Sequence, residues 1–397
     1  MSMASQSNLG RSALRQTVLS PGGSHRGILV YVFLRGGMDG LHSVPPHGDP
    51  GLYEGRPTLA IANPGKSGGA LDLDGRFGLH PDLKPLLEFY QSKSLAIVHA
   101  AGSPDKTLSH FEAMQTAERG VYDGNDVATG WIARHLISSP LDQPSALRAV
   151  AIGEMLPKSM DGAIGAAAFR SVSEYRLRTP AGWSPGFASA LTRLYTREGG
   201  ELGAMGRETL KLAADLEKLS AQTYQPAGGA RYPATGFGDG LKETARLIKA
   251  DLGLEIAQVD LGGWDAHAAQ VPLMNLLMTD LAGSLQAFFQ DLGDRAESVT
   301  LVAMSEFGRR VHENAVAGTD HGRATAMLLL GAGVRGGKVY GKWPGLRRSE
   351  LDRDGNVRVT TDYRDVLSEL VRERLGNPNS DRVFPNYTAN PVGLFAG

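Results

Sequence analysis

The sequence predicts an α/β fold in which a mostly parallel sheet is covered by helices on both faces. From residue 27 onward, short apolar runs alternate with amphipathic segments, an order typical of this fold class. The apolar runs contain almost no polar residues, as expected for strands that have helices packed on both sides. Acidic and histidine side chains follow several of these runs, where parallel sheets place their reactive groups.

Apolar runs are predicted to be strands and amphipathic stretches to be helices. The predicted strands are Ile28–Leu34, Ser94–Ala100, Leu147–Gly153, Leu254–Asp260, Val299–Ser305 and Ala326–Ala332. The predicted helices are Pro81–Gln91, His110–Arg119, Glu201–Leu219, Leu241–Leu252, Ala268–Asp291 and Tyr363–Leu375. The segment 170–240 contains helical patterns joined by glycine and proline, and is predicted to be a helical insertion or cap.

The composition excludes several classes of function. The formal net charge of -1 gives no broad positive surface for nucleic acid or for an anionic membrane. The absence of cysteine excludes disulfides, thiolate metal sites and a cysteine nucleophile. Residues 1–26 are polar and rich in small side chains, so they are predicted to be a disordered lead-in and not an intact export signal. No apolar run approaches the roughly 20 residues of a membrane span, and the sequence alone predicts the cytoplasm by default.

The stretch VDLGGWDAHAAQ, which includes the end of a predicted strand, gives the clearest indication of a metal site. Residues i and i+2 of an extended backbone point to the same side, so Asp265 and His267 can reach one cation. Carboxylate oxygen and imidazole nitrogen are ligands of hard and borderline divalent ions. Capping of the next helix would explain Asp265, but it would not explain His267.

Further polar residues occur in the turns next to other predicted strands. They are Asp39 after the first strand, Thr107, Ser109 and His110 after the second, Glu306, Arg309 and Arg310 after the fifth, and Asp320 with His321 before the sixth. Because Asp320 and His321 are consecutive, they need a loop to converge, with one as a ligand and the other supporting a ligand. The set as a whole predicts a site for one or two divalent ions.

Each of these residues also has an ordinary structural interpretation. Asp39 is a common turn residue after two glycines. Ser109 fits the first position of a capping box, and Arg309 could be a solvated surface charge. His80 and His99 lie among apolar residues and are expected to be hydrogen-bonded core histidines.

Six stretches of the sequence, in this order, resemble a bacterial family catalogued as a domain of unknown function and grouped with the alkaline phosphatase and sulfatase superfamily. They are FLRGGMDGLHSVPP, LDGRFGLHPDLKPL, AIVHAAGSPDKTLSHFEA, GGWDAH, MSEFGRR and GTDHGRATAMLLLGAGVRGGKVYG. The resemblance implies a three-layer α/β/α, alkaline phosphatase-like domain over residues 27–385, followed by a tail at 386–397. It also implies metal-dependent hydrolysis of phosphate or sulfate esters, with one or two divalent ions of Zn, Mn, Mg or Ca.

The resemblance implies metal-binding roles for several residues. Asp39 matches the aspartate that binds one metal after the first strand, and Asp265 with His267 resembles the pair that binds the other. Glu306 looks like the acidic group after the next strand, and His321, with Asp320 beside it, looks like the final histidine. The sequence departs from the superfamily pattern because Asp-x-x-x-His becomes Asp-x-His, and because a phenylalanine follows Glu306 where a histidine is usual.

The nucleophile is less clearly indicated than the metal ligands. A hydroxyl at the start of a helix serves this role in the superfamily, and both Ser109 and Thr107 match it; a metal-bound water is the third option. Arg309, if it points inward, would stabilise charge that develops in the transition state. The sulfatase signature of Cys or Ser followed by x-Pro-x-Arg is missing, which argues against aldehyde-based sulfatase chemistry.

The predicted partner is a small molecule or glycan that carries an anionic ester. Two alternatives stay open: a non-catalytic protein that binds a glycan or another anion on the same fold, and a metal-free serine hydrolase. The second lacks the G-x-S-x-G motif. Relatives of the family often carry export signals, so the resemblance would allow the periplasm or secretion. The sequence predicts neither the substrate nor the oligomeric state.

Overall fold

The computed structural model describes residues 27–122, 127–141, 145–175 and 185–395. The predicted lead-in at residues 1–26 and the last two residues of the predicted tail lie outside this range.

Strands and helices alternate along most of the described chain. The strands are β1 (Ile28–Arg35), β2 (Leu71–Asp72), β3 (Gly78–Leu79), β4 (Leu95–Gly102), β5 (Ala149–Ile152), β6 (Ala166–Phe169), β7 (Ile256–Gly262), β8 (Val299–Met304), β9 (Arg309–Glu313), β10 (Thr319–His321), β11 (Thr325–Gly331), β12 (Lys338–Tyr340) and β13 (Thr361–Asp362). The α-helices are α1 (Gly40–Ser43), α2 (Pro50–Gly55), α3 (Lys84–Gln91), α4 (His110–Arg119), α5 (Trp131–Ser138), α6 (Pro185–Arg197), α7 (Gly200–Ser220), α8 (Gly236–Ala250), α9 (Gln270–Leu292), α10 (Tyr363–Glu373) and α11 (Ser380–Val383).

In the described part of the chain, one large sheet of nine strands forms the centre of the fold. Its order is β12-β4-β11-β8-β1-β7-β5-β6, with β13 also paired to β4. Only β11 runs antiparallel to its neighbours, β4 and β8, while the other pairs are parallel. The prediction of a mostly parallel sheet is therefore confirmed, and all the predicted strands belong to it.

Helices cover both faces of this sheet, which confirms the three-layer α/β/α prediction. Val32 of β1 belongs to a buried cluster formed with residues of α3, α8 and α9. Its neighbour Phe33 points to the other face, into a buried cluster formed with residues of α5 and α10. Both side chains are fully buried, and full burial of a side chain of this kind contributes about 1.5–3 kcal/mol.

The differences from the predicted elements have local causes. Strand β6 was missed because Ala-Ala-Ala-Phe has little intrinsic preference for a strand, and its pairing with β5 supplies the stabilisation. Helix α8 begins five residues before the predicted Leu241, because the Thr235 hydroxyl caps it by accepting a hydrogen bond from the Gly238 amide at 2.9 Å.

The segment 170–240, predicted to be a helical insertion or cap, contains helices α6 and α7 and the start of α8. Its described residues contribute no strand to the large sheet. Its role as a cap stays a prediction. Within the described ranges, no helix combines the length and the apolar character that crossing a membrane requires.

Candidate metal centre

The predicted site residues lie in turns along one edge of the large sheet. Strands β1, β4, β7 and β8 point in the same direction, so the residues that follow them lie at a common carboxyl edge. Strand β11 runs the opposite way, so the residues that precede it reach the same edge. This explains why Asp320 and His321, which come before a strand, lie close to residues that come after strands.

Three imidazoles converge on one carboxylate oxygen, Oδ1 of Asp265. The Nε2 atoms of His267, His110 and His321 lie 3.0, 3.2 and 3.2 Å from it. The Nε2 atoms of His267 and His321 are 2.9 Å apart. Ligand atoms of His110, Asp265 and His321 all lie within 4.8 Å of one another. We call these four residues the imidazole cluster.

The orientation of His110 is set by the buried carboxylate of Glu306. Nδ1 of His110 lies 2.7 Å from Oε1 of Glu306. That oxygen also accepts a hydrogen bond from the Gly36 amide at 2.9 Å, and the other accepts one from the Ser305 hydroxyl at 2.9 Å. Because a carboxylate can only accept, Nδ1 of His110 carries the hydrogen. The Nε2 atom of His110 is buried and makes no hydrogen bond.

The Nδ1 atoms of the other two imidazoles also face oxygen atoms. Nδ1 of His321 lies 2.7 Å from the carbonyl oxygen of Leu108, which can only accept a hydrogen bond. Nδ1 of His267 lies 3.3 Å from Oδ1 of Asp320. In their neutral forms, His110 and His321 therefore direct an Nε2 lone pair toward the shared carboxylate oxygen. Both ring nitrogens of His267 face carboxylate oxygens, so these contacts allow either tautomer of that ring.

These residues fit a bound divalent cation. Nitrogen lone pairs directed at a carboxylate oxygen repel it unless protons or a metal ion lie between them. Zn²⁺ takes imidazole nitrogen and carboxylate oxygen as ligands, and a ligating histidine usually donates its other N–H to an oxygen. The donor set, the tautomers and the orphaned Nε2 of His110 all agree with this chemistry.

Arg309 points inward, but its guanidinium is already fully used by the protein. The side chain is 1% exposed, and Nη2 contacts Oδ1 of Asp265 at 2.7 Å. Its nitrogens also donate to the carbonyl oxygens of Gly37, Gly36 and Thr319 at 2.8, 2.6 and 3.0 Å. The geometry therefore makes Arg309 a residue that positions Asp265, and differs from the predicted contact with a substrate.

Charge on the cluster is distributed unevenly. Burial opposes ionisation of Asp265, but Arg309 and then His321 and His110 outweigh it, so the pKa of this carboxyl lies well below its usual range. The hydrogen bond that Nδ1 of His110 donates to Glu306 raises the pKa of His110 above that of an ordinary histidine. Burial lowers the pKa of His321. In the absence of a metal, His110 therefore holds an additional proton more strongly than His321 does.

We expect the affinity for Zn²⁺ to rise with pH between about pH 6 and pH 8. Because the pKa of His110 is raised, the cation must displace a proton below that pKa, and this competition is lost as the pH rises through it. Each displaced proton changes the affinity by up to about tenfold per pH unit. Calorimetric titration at several pH values measures how the affinity for Zn²⁺ changes with pH. Glu306→Gln should move the midpoint of that change to lower pH. An affinity that does not vary over this range would exclude His110 as a ligand.

Asp39 is not brought into the imidazole cluster. It is 2% exposed, and Oδ2 contacts the Arg56 guanidinium and the Gln270 amide, each at 2.7 Å. Oδ1 caps α1 by accepting from the Leu41 amide at 3.1 Å. The described contacts of Asp39 give it a structural role between α1 and α9, and its predicted binding of a second ion stays a prediction that they do not support.

The two candidate nucleophiles differ in how their hydroxyls are used. Ser109 is the N-cap residue of α4, but its side chain makes no capping hydrogen bond. The expected capping box is absent because the Glu112 carboxylate accepts from the Thr107 hydroxyl at 2.6 Å. The Thr107 oxygen also accepts from the Ser109 amide at 3.2 Å. Ser109 is therefore the better candidate, and it directly precedes His110.

His80 and His99 are hydrogen-bonded core residues, as predicted. Nδ1 of His80 accepts from the Asp82 amide at 3.1 Å. Nε2 of His99 lies 3.0 Å from the Val44 carbonyl oxygen, and burial lowers the pKa of this imidazole to about 4. Both are nearly inaccessible to solvent.

His110 is a candidate ligand that the sequence places among the polar residues after the second strand, but no metal-binding role was predicted for it. It stood next to Ser109 at a predicted helix start, but its partner Glu306 is 196 residues away in the chain. The ion pair between Asp39 and Arg56 was also missed, because no spacing rule links a turn aspartate to an arginine after the next short helix. The position of His110 beside Ser109 is a local signal for that residue, whereas the sequence gives no such signal for the ion pair.

Comparisons with known proteins give one family and several distant structures. The family model for DUF1501, described as a protein of unknown function, matches residues 96–384. No curated protein matches the chain.

Three solved structures illustrate the distant similarity. The C-terminal periplasmic domain of EcEptC from Escherichia coli has 12% identity, coverage of 93% of this chain and 89% of that chain, and a TM-score of 0.39. Alkaline phosphatase from the Antarctic bacterium TAB5 has 11% identity, coverage of 78% of this chain and 92% of that chain, and a TM-score of 0.31. The PsFucS1 sulfatase from Pseudoalteromonas sp. has 12% identity, coverage of 90% of this chain and 70% of that chain, and a TM-score of 0.35. All three are remote, and the geometry of the imidazole cluster stands without them.

Proposed function

Because the chain belongs to the DUF1501 family, whose function is unknown, its activity has to be inferred from its own residues, and we propose that it is a metal-dependent hydrolase of phosphate or sulfate esters. The observation that carries the proposal is the convergence of three Nε2 atoms on Asp265, together with the Ser109 hydroxyl, which makes no capping hydrogen bond and directly precedes His110 in the chain. The donors would hold the cation, and the hydroxyl would attack the ester.

The proposed ligands are His110, Asp265 and His321, with His267 as a fourth. Glu306 accepts from Nδ1 of His110 and fixes its tautomer, and Asp320, 3.3 Å from Nδ1 of His267, orients that ring. A bound divalent cation supplies Lewis acidity, which polarises an ester and lowers the pKa of an attacking hydroxyl.

Ser109 is the proposed nucleophile. Its oxygen forms a bond to phosphorus or sulfur, the bond to the substrate alcohol breaks, and the serine proton balances the departing alkoxide. Water then cleaves the serine ester and restores the serine proton, so the net reaction turns ester and water into alcohol and phosphate or sulfate. The first amides of α4, which begins at His110, face the start of the helix, where they favour the negative charge of such an ester.

The proposed substrate is a small molecule or glycan that carries a phosphate or sulfate ester. Residence in the cytoplasm stays a prediction from the sequence, and cell fractionation tests it.

Elemental analysis followed by metal removal tests the proposal. We expect the purified protein to contain Zn²⁺ or another divalent ion and to hydrolyse members of a panel of aryl phosphates and sulfates. Exhaustive chelation should abolish turnover, and returning the ion should restore it. Full activity after complete chelation would contradict metal dependence.

Two hydroxyl variants separate the catalytic role from metal binding. Ser109→Ala should retain the metal and lose turnover, whereas Thr107→Val should retain most of both. Metal and phosphate binding without turnover on the whole panel would instead favour the non-catalytic, anion-binding alternative.

A further inference from the structure

Four separate segments at the carboxyl edge of the sheet expose large apolar side chains. Phe111 at the start of α4 is 88% exposed, and Met155 in the turn after β5 is 80% exposed. Leu276 near the start of α9 is 71% exposed, and Val316 between β9 and β10 is 59% exposed. We call these four residues the apolar rim.

The apolar rim adjoins the imidazole cluster. Phe111 follows His110 directly in the chain. The carbonyl oxygen of Val316 accepts a hydrogen bond from the Ala269 amide at 2.9 Å, two residues after His267.

The other two rim residues lie on segments that flank the cluster. Leu276 is on the second turn of α9, the helix that follows Asp265 and His267. Met155 follows β5, which pairs with β7, the strand that leads into the loop of Asp265 and His267. The turn at 158–160, shortly after Met155, packs against α4.

An apolar ring also packs directly against the cluster. The buried ring of Phe307 lies 4.7 Å from the ring of His110 and 5.0 Å from that of His321, measured between centroids. Single exposed apolar residues are normal on a protein surface. Here they come from segments far apart in sequence that carry or flank the residues of one polar centre, a combination typical of a binding surface.

We propose that the ester site acts on amphiphiles, in which an anionic ester group enters the imidazole cluster and an apolar chain lies against the apolar rim. The inference rests on the proposed function and adds the class of substrate to it. The apolar chain of the substrate is the occupant that fits, because the rim residues lie on segments that carry or flank the residues that would bind its charged end.

Binding of two phosphonates, which the protein cannot hydrolyse, tests the inference. In the metal-loaded full chain, we expect octylphosphonate to bind at least about tenfold more tightly than ethylphosphonate, a gain that needs burial of only about two methylene groups. Phe111→Ser should reduce this ratio of affinities by about threefold or more. Isothermal titration calorimetry measures all four affinities.

Ile137→Ser is the matched control. Ile137 is 58% exposed, but it lies at the opposite edge of the sheet, since the Leu136 carbonyl accepts from Arg148, which precedes β5. This variant should keep the wild-type ratio.

The outcomes separate the inference from the proposed function. Equal affinity for the two phosphonates would overturn the inference alone, as expected if the rim covers a protein partner or a second copy of the chain. Octylphosphonate binding that survives Asp265→Ala unchanged would also overturn it, since the apolar chain would then bind independently of the cluster. Binding of neither phosphonate would overturn the ester site and the inference together.

Discussion

Replacing Asp265 with alanine should lower the affinity for Zn²⁺ by at least about 100-fold. The substitution removes the oxygen on which the three Nε2 atoms converge. It also leaves the buried guanidinium of Arg309 without its carboxylate partner, so a positive charge faces the cation site. Metal content after dialysis and calorimetric titration measure the loss.

Two further aspartate variants make this result specific. Asp320→Asn weakens the hydrogen bond that orients His267 and should reduce the affinity by about tenfold. Asp72→Ala breaks a comparable contact, 3.0 Å from Nε2 of His47, outside the cluster and should leave the affinity unchanged. Wild-type metal content and affinity in Asp265→Ala would show that the cluster is not the metal site.

Much of the fold could be predicted because its strands are buried on both faces. Runs such as Val299–Met304 are apolar at every position but one and need no tertiary information to be recognised. Strand β6 could not be recognised, because a run of alanines becomes a strand only through pairing with β5. The antiparallel direction of β11 was also not predicted, and it decides which edge His321 reaches.

The site could be predicted as a neighbourhood but not as a set of contacts. The rule that polar residues gather at the carboxyl edge brought Asp265, His267, Glu306 and His321 together correctly in outline. It could not distinguish the carboxylate that faces the cluster from the one that only orients an imidazole. That distinction depends on which ring nitrogen meets an oxygen, and such contacts join residues far apart in the chain.

Arg309 shows a related limit of sequence reasoning. An arginine after a strand at the site edge suggested contact with an anionic substrate, and the side chain does turn inward. The turns that follow β1 and β7 leave carbonyl oxygens directed at the same place, and the guanidinium donates to them. Burial among these acceptors, which no sequence pattern records, makes the residue part of the scaffold.

The second large effect concerns the buried ion pair between Asp39 and Arg56. Arg56→Ala should destabilise the protein by about 3–5 kcal/mol, because it leaves a carboxylate uncompensated in a position that is 2% exposed. Arg56 also donates to the carbonyl oxygens of Val311 and Arg310 at 2.9 and 2.8 Å, and these acceptors would lose their partners too. Denaturant and thermal unfolding of the metal-free protein measure the change.

Lys218→Ala is the matched control for stability, since it breaks an exposed ion pair with Asp215 and should cost less than about 1 kcal/mol. Asp39→Asn then distinguishes the structural role of Asp39 from the metal-binding role that the sequence suggested. If Asp39 only anchors α1 and α9 through Leu41 and Gln270, this variant loses stability and keeps the metal content of the wild type. If it loses one ion per chain instead, a second metal lies at Asp39, and the ion pair with Arg56 must open to admit it.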